Sequence, residues 1–236
     1  MGLADPAVPL SALLARADVR LGGALAHVAS PSVPTGFPQL DAALPGGGWP
    51  SGALTELVLA HDGIGELRIL GPALARLAGA GGQLAWIAPP YLPYAPALAA
   101  AGIALGQVLI VRTSSARDSL WAAEQALRSA ACSAVLAWPG AVKYPALRRL
   151  QLAAEGTRAL AMLFRAPQAA GEASPAALRL ALDTAAGGIA VRILKRRGAV
   201  CERPIAIDLS RPHAALDCTV PAEPPARSAD ARACHA

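Results

Sequence analysis

Aromatic side chains are scarce: Phe, Trp and Tyr make up 4% of the 236 residues, while hydrophobic residues of all kinds make up 54%. Alanine therefore carries much of the apolar count. That favours helices packed closely on a sheet and excludes the low-hydrophobicity signature of disorder. Cysteine is sparse too. Cys132, Cys201, Cys218 and Cys234 show no C-x-x-C pair, so free thiols are expected and Cys132 reads as a small core residue. His213, Cys218, Cys234 and His235 have separations unsuited to zinc. No basic-then-apolar segment opens the chain, which makes the cytoplasm the expected compartment. The net charge of +5 is mild; it permits contact with nucleic acid and does not establish it.

One stretch lacks charge altogether. From Leu84 to Val111 there is no Asp, Glu, Lys or Arg, a length that could span a bilayer. Pro89, Pro90, Pro93 and Pro96 interrupt it early, and Gly102 and Gly106 interrupt it late. A buried strand, a helix and a second strand fit better, and no membrane segment is expected.

What is present is a rhythm of apolar strands and helices. Strands are expected at Ala53–Ala60, Gln83–Ala88, Val108–Val111, Ala134–Trp138 and Ala159–Phe164. Helices are expected from about Gly65, with Leu67, Leu70, Leu74 and Leu77 on one face and Pro72 as a kink. Others follow from Pro93 or Pro96 to Ala101, from Ser115 to about Ala131, and over Tyr144–Glu155. Ser115 and Asp118 form a capping-box pair, and Glu124 and Arg128 are spaced to pair across one turn. Residues 166–174 read as a flexible loop. Leu178–Asp183, Ile189–Lys195 and Ala199–Leu209 then read as consecutive strands with turns at Gly187-Gly188 and Gly198. The pattern is α/β: a three-layer core, a mostly parallel sheet with helices on both faces, and an antiparallel C-terminal extension. Residues 1–32 read as a helix (Leu10, Leu13, Leu14) and linker arm, 33–211 as the core, and 212–236 as a disordered tail.

The stretch from Trp49 to Leu70 has the strand–glycine turn–helix form in which backbone N–H groups cradle phosphate. Gly63 and Gly65 supply the turn. Yet Glu66 stands where such a loop needs a lysine, and Leu67 where it needs a hydroxyl for magnesium.

Several phrases resemble one family. T-G-F-P-Q-L-D-A-A-L-P-G-G-G-W-P-S-G-A-L-T-E-L resembles the entry to the RecA ATPase core. G-I-G-E-L-R, L-A-W-I-A-P-P-Y-L-P-Y-A-P-A-L, L-W-A-A-E-Q-A-L-R-S-A-A-C-S-A-V-L-A-W-P, L-R-R-L-Q-L-A-A-E, S-P-A-A-L-R-L and K-R-R-G are similar to signatures of the ImuA family. These are RecA-like proteins of bacterial damage-induced mutagenesis operons, and the resemblance covers about Val19 to Leu209. It implies a RecA-like core whose catalytic positions are altered. Besides Glu66 and Leu67, Pro90 stands at the place of the catalytic glutamate and Trp138 at that of the magnesium-orienting aspartate. A chain so altered is expected to hydrolyse no ATP and to use no cofactor.

Function is then expected from surfaces. Lys195, Arg196 and Arg197, with Arg148, Arg149 and Arg203, form a candidate patch for DNA or an acidic partner, although a basic hairpin is as readily a solvated face. Direct DNA binding is expected to be weak or indirect. Trp121 is the candidate partner anchor. The resemblance implies, as partners, ImuB (an inactive Y-family polymerase homologue), a DnaE-type error-prone polymerase and RecA itself. Two other readings stay open: a SulA-like cell-division inhibitor that binds FtsZ, and a DNA-binding regulator of RecA.

Overall fold

The computed structural model describes residues 31–198 and 203–209. The expected N-terminal helix, the tail and the start of the last strand lie outside them, as do His213 and the cysteines at 201, 218 and 234.

The chain enters through β1 (Ser32–Val33), which pairs antiparallel with β2 (Trp49–Pro50). Between them lie a turn at Gly36 and the short helix α1 (Pro38–Ala43). The Asp41 carboxylate accepts the Thr35 N–H at 2.8 Å and holds that entry in place.

A βα alternation follows: β3 (Ala53–Leu59), α2 (Glu66–Gly79), β4 (Gln83–Ile87), α3 (Ala95–Ala100), β5 (Val108–Val111), α4 (Ala116–Arg128), β6 (Cys132–Ala137), α5 (Tyr144–Glu155) and β7 (Leu160–Arg165). Three further strands close the described chain: β8 (Leu178–Ala185), β9 (Gly188–Lys195) and β10 (Ile205–Asp208). All eight strands from β3 onward share one sheet, in the order β10-β9-β8-β3-β7-β6-β4-β5. Strand β3 is therefore internal, parallel to β7 on one side and to β8 on the other.

The antiparallel extension starts one strand later than expected. β8 runs parallel to β3, and only β9 and β10 are antiparallel to their neighbours. The connection from β7 over residues 166–177 is long enough to cross β3 and return to the edge where β3 begins, with the Ala177 N–H on the Leu54 carbonyl, so β8 sets out in the same direction. The expected loop over 166–174 is also ordered differently: Pro167–Gly171 forms a 3-10 turn with Ala169 buried.

Strand alternation assigns the two faces. Leu57, Leu59, Leu84, Trp86, Leu136, Met162 and Phe164 pack with Leu40 of α1 and Ile69, Leu70 and Leu74 of α2. Leu54, Ala85, Ile87, Val135, Ala161 and Leu163 pack with Ala123 and Leu127 of α4 and Leu147 and Leu150 of α5. Alanines on this second face let α4 and α5 approach closely, as the composition implied. On α2 the inward face is carried by Ile69, Leu70, Ala73 and Leu74, while Leu67 and Leu77 are only partly buried. The helix continues through Pro72. Among the described residues no helix is long and apolar enough to cross a membrane.

Candidate functional site

The glycine turn lies where the alternation placed it, between the carboxyl end of β3 and the first turn of α2. Gly63 (φ +80°) and Gly65 (φ +107°) both occupy the left-handed region, and Gly65 is the N-cap of α2. Such a turn aims backbone N–H groups at a common point. Here that point is filled by the chain itself. The Glu66 carboxylate turns back and accepts the Gly63 N–H at 3.2 Å through Oε1 and the Gly65 N–H at 3.1 Å through Oε2. Glu66 is only 6% exposed. From the sequence, Glu66 reads as a charge that repels phosphate; the geometry adds that its carboxylate holds the donors an anion would use. The turn is also roofed. A Cβ on Gly65 would lie 3.2 Å from Leu209 Cδ1 and 3.3 Å from Ile189 Cδ1.

Pro90 and Trp138 come together nearby. Both line a depression of about 440 Å³ at the carboxyl ends of the strands, with His61, Asp62 and Phe164. Trp138 stacks on Phe164 with ring centroids 4.1 Å apart and planes 3° from parallel, and it meets Trp86 at 6.2 Å. An aromatic stack therefore occupies this edge. Leu67 does not join it. Leu67 lines a separate apolar cleft of about 330 Å³ between α2 and α3, with Leu74, Trp86, Tyr94 and Leu98. Tyr91, Leu92 and Tyr94 stand exposed on the strand-end loop leading into α3.

A buried charge network escaped the sequence reading. Glu56, in the middle of β3 and fully buried, accepts Arg165 Nη1 at 3.1 Å and Arg179 Nε at 2.6 Å. Arg165 also reaches Glu172 at 2.7 Å, and Arg179 donates to the carbonyls of Glu172 and Ala169. Two buried guanidinium groups thus clamp the 3-10 turn onto the sheet. The signal was available: a carboxylate inside A-L-T-E-L-V-L and an arginine inside L-R-L-A-L require partners once buried.

The basic candidates fall on different elements. Lys195 Nζ donates to the Ser174 carbonyl at 2.8 Å, and Arg196 donates to the Ala43 carbonyl. Arg197 lines a cavity with Gln151 and Glu155 at the far end of α5, and Arg203 precedes β10. Arg148 is exposed on α5. Arg149 leans toward α4, where its guanidinium pairs with Glu124; Arg128 reaches the same carboxylate at 2.9 Å, the pairing its i, i+4 spacing implies. Trp121 is 62% exposed on α4 and lines the same groove as Arg149.

The sequence matches no protein-family model and no curated protein. The likeness to the ImuA family accordingly rests on the residues quoted above.

Proposed function

We propose that this chain is a non-catalytic, RecA-like adaptor of the damage-induced mutagenesis machinery. It acts in the cytoplasm through contacts with an ImuB-type polymerase homologue, a DnaE-type error-prone polymerase or RecA. The observation that carries the reading is the Glu66 carboxylate in the glycine turn. A carboxylate bound to the Gly63 and Gly65 N–H groups competes directly with phosphate for the same donors, and a negative charge there repels a polyphosphate. ATP hydrolysis needs phosphate neutralisation, a metal anchor and a positioned water; Glu66, Leu67, Pro90 and Trp138 supply none of these chemistries. What the strand ends do offer is contact surface: exposed Tyr91, Leu92 and Tyr94 beside an apolar cleft.

Co-purification tests the reading. The tagged full chain is expressed in turn with an ImuB-type protein, a DnaE-type polymerase, RecA and FtsZ. Retention of at least one of the first three, without FtsZ, is expected. Retention of FtsZ alone overturns the reading in favour of a division inhibitor.

A further inference from the structure

We infer that the groove between α4 and α5 is the docking site for an acidic peptide segment of a protein partner, with an apolar side chain of that segment seated against Trp121. The groove holds about 400 Å³. Its floor is aliphatic, with Leu120 and Leu150, and its rim is cationic, with Arg117, Lys143 and Arg149. Glu124 is the one acid in the lining. It is 5% exposed and engaged by Arg128 and Arg149, so it offsets Arg149 and leaves the charges of Arg117 and Lys143 on the rim. Arg117 and Lys143 are exposed, and among the described residues neither side chain has a hydrogen-bond or ion-pair partner. Asp118, beside Arg117, is engaged instead by Ser115, the N-cap of α4, whose hydroxyl donates to its carboxylate at 2.7 Å.

Charge complementarity therefore selects an anionic occupant. The aliphatic floor selects among anions: it offers nothing to a phosphodiester chain and matches a leucine or phenylalanine flanked by carboxylates. Trp121 supplies the anchor. Trp49 and Trp86 are fully buried, whereas the Trp121 indole projects into the groove mouth, and tryptophan beside arginine is the usual composition of an interface hot spot. The inference deepens the adaptor reading by giving it a partner-facing surface, and it rests on that reading only in taking the occupant to be a protein.

A random dodecapeptide library displayed on phage, panned on the immobilised full chain, tests it. The enriched peptides should carry Asp or Glu around one aromatic or aliphatic residue. The best of them should lose at least tenfold in affinity on Trp121→Ala, and again on Arg117→Glu with Lys143→Glu. These variants leave the Arg149–Glu124 pair intact and should unfold at the wild-type temperature, which a thermal melt checks. Enrichment without acidic bias, or binding indifferent to all three changes, overturns the proposal. So does tighter binding of a single-stranded dT20 oligonucleotide that the charge reversal abolishes, which would assign the groove to nucleic acid. Should the groove fail this test while co-purification survives the same charge reversal, the adaptor reading stands and only its docking surface moves.

Discussion

Replacing Glu66 by alanine probes the self-filled turn. The side chain accepts two backbone N–H groups, at 3.2 and 3.1 Å, while itself almost fully buried. A hydrogen bond to a charged acceptor contributes about 1.5 to 3 kcal/mol net. Gly63 is exposed, so water recovers part of its bond when the carboxylate is lost. The expected cost is then about 2 kcal/mol, within the range measured for loss of a helix cap. For a chain of this size that lowers the melting temperature by about 4–8 °C. Glu66→Gln keeps a carbonyl acceptor and should lose roughly half as much. Urea unfolding followed by circular dichroism, in buffer free of phosphate and sulfate, measures both. The alanine variant carries a second expectation. With the carboxylate gone the two donors face an open site, so added phosphate should stabilise Glu66→Ala and leave the wild type unchanged. An alanine variant within 0.5 kcal/mol of wild type, or equal stabilisation of both by phosphate, would refute the reasoning.

Two further perturbations test the frame. Glu56→Leu leaves two buried guanidinium groups without their carboxylate and should cost about 3–5 kcal/mol in urea unfolding. Glu56→Leu with Arg165→Met and Arg179→Met should recover much of that loss, yet free the turn at Pro167–Gly171 to subtilisin cleavage. In the glycine turn, Gly63→Ala meets open space and should cost about 1 kcal/mol for its left-handed backbone alone. Gly65→Ala also presses on Leu209 and Ile189 and should cost about 2–3 kcal/mol by the same unfolding assay. Equal losses at the two glycines would show that the roof over Gly65 yields freely.

The alternation of apolar strands with amphipathic helices was legible because each strand of the parallel set is short and uncharged on most positions, and most are followed closely by Gly or Pro. Helix α5 falls on Tyr144–Glu155 as its periodicity implies, and the Ser115 hydroxyl accepts the Asp118 N–H at 3.1 Å as its capping motif implies. Strand order was less accessible. Nothing local in L-R-L-A-L reveals that β8 lies against β3; that depends on the path from β7 across the sheet, a property of the whole topology. The ordering of 166–174 was missed for a related reason. Its small residues look flexible in isolation, and what holds them are arginines on β7 and β8 reaching over to Glu172 and Ala169. At the candidate site, Gly63, Gly65, Glu66, Pro90 and Trp138 were all visible as residues. Their arrangement was not: the return of the Glu66 carboxylate onto its own turn is a side-chain rotamer choice, and the Trp138–Phe164 stack joins residues 26 positions apart. The groove that unites Trp121 with Arg149 depends likewise on the packing of α4 against α5.

Equilibrium dialysis of the full chain against Mg-ATP tests the filled turn most directly. Because Glu66 already occupies the donors, the chain should retain no ATP at micromolar concentrations. On the proposed RecA-like reading, in which Pro90 and Trp138 replace an acid and a metal ligand, the Glu66→Lys, Leu67→Thr double variant should show no turnover. Micromolar retention of ATP by the wild-type chain would contradict the claim that the turn is closed to phosphate, and turnover by the double variant would contradict the claim that the strand ends lack the remaining chemistry.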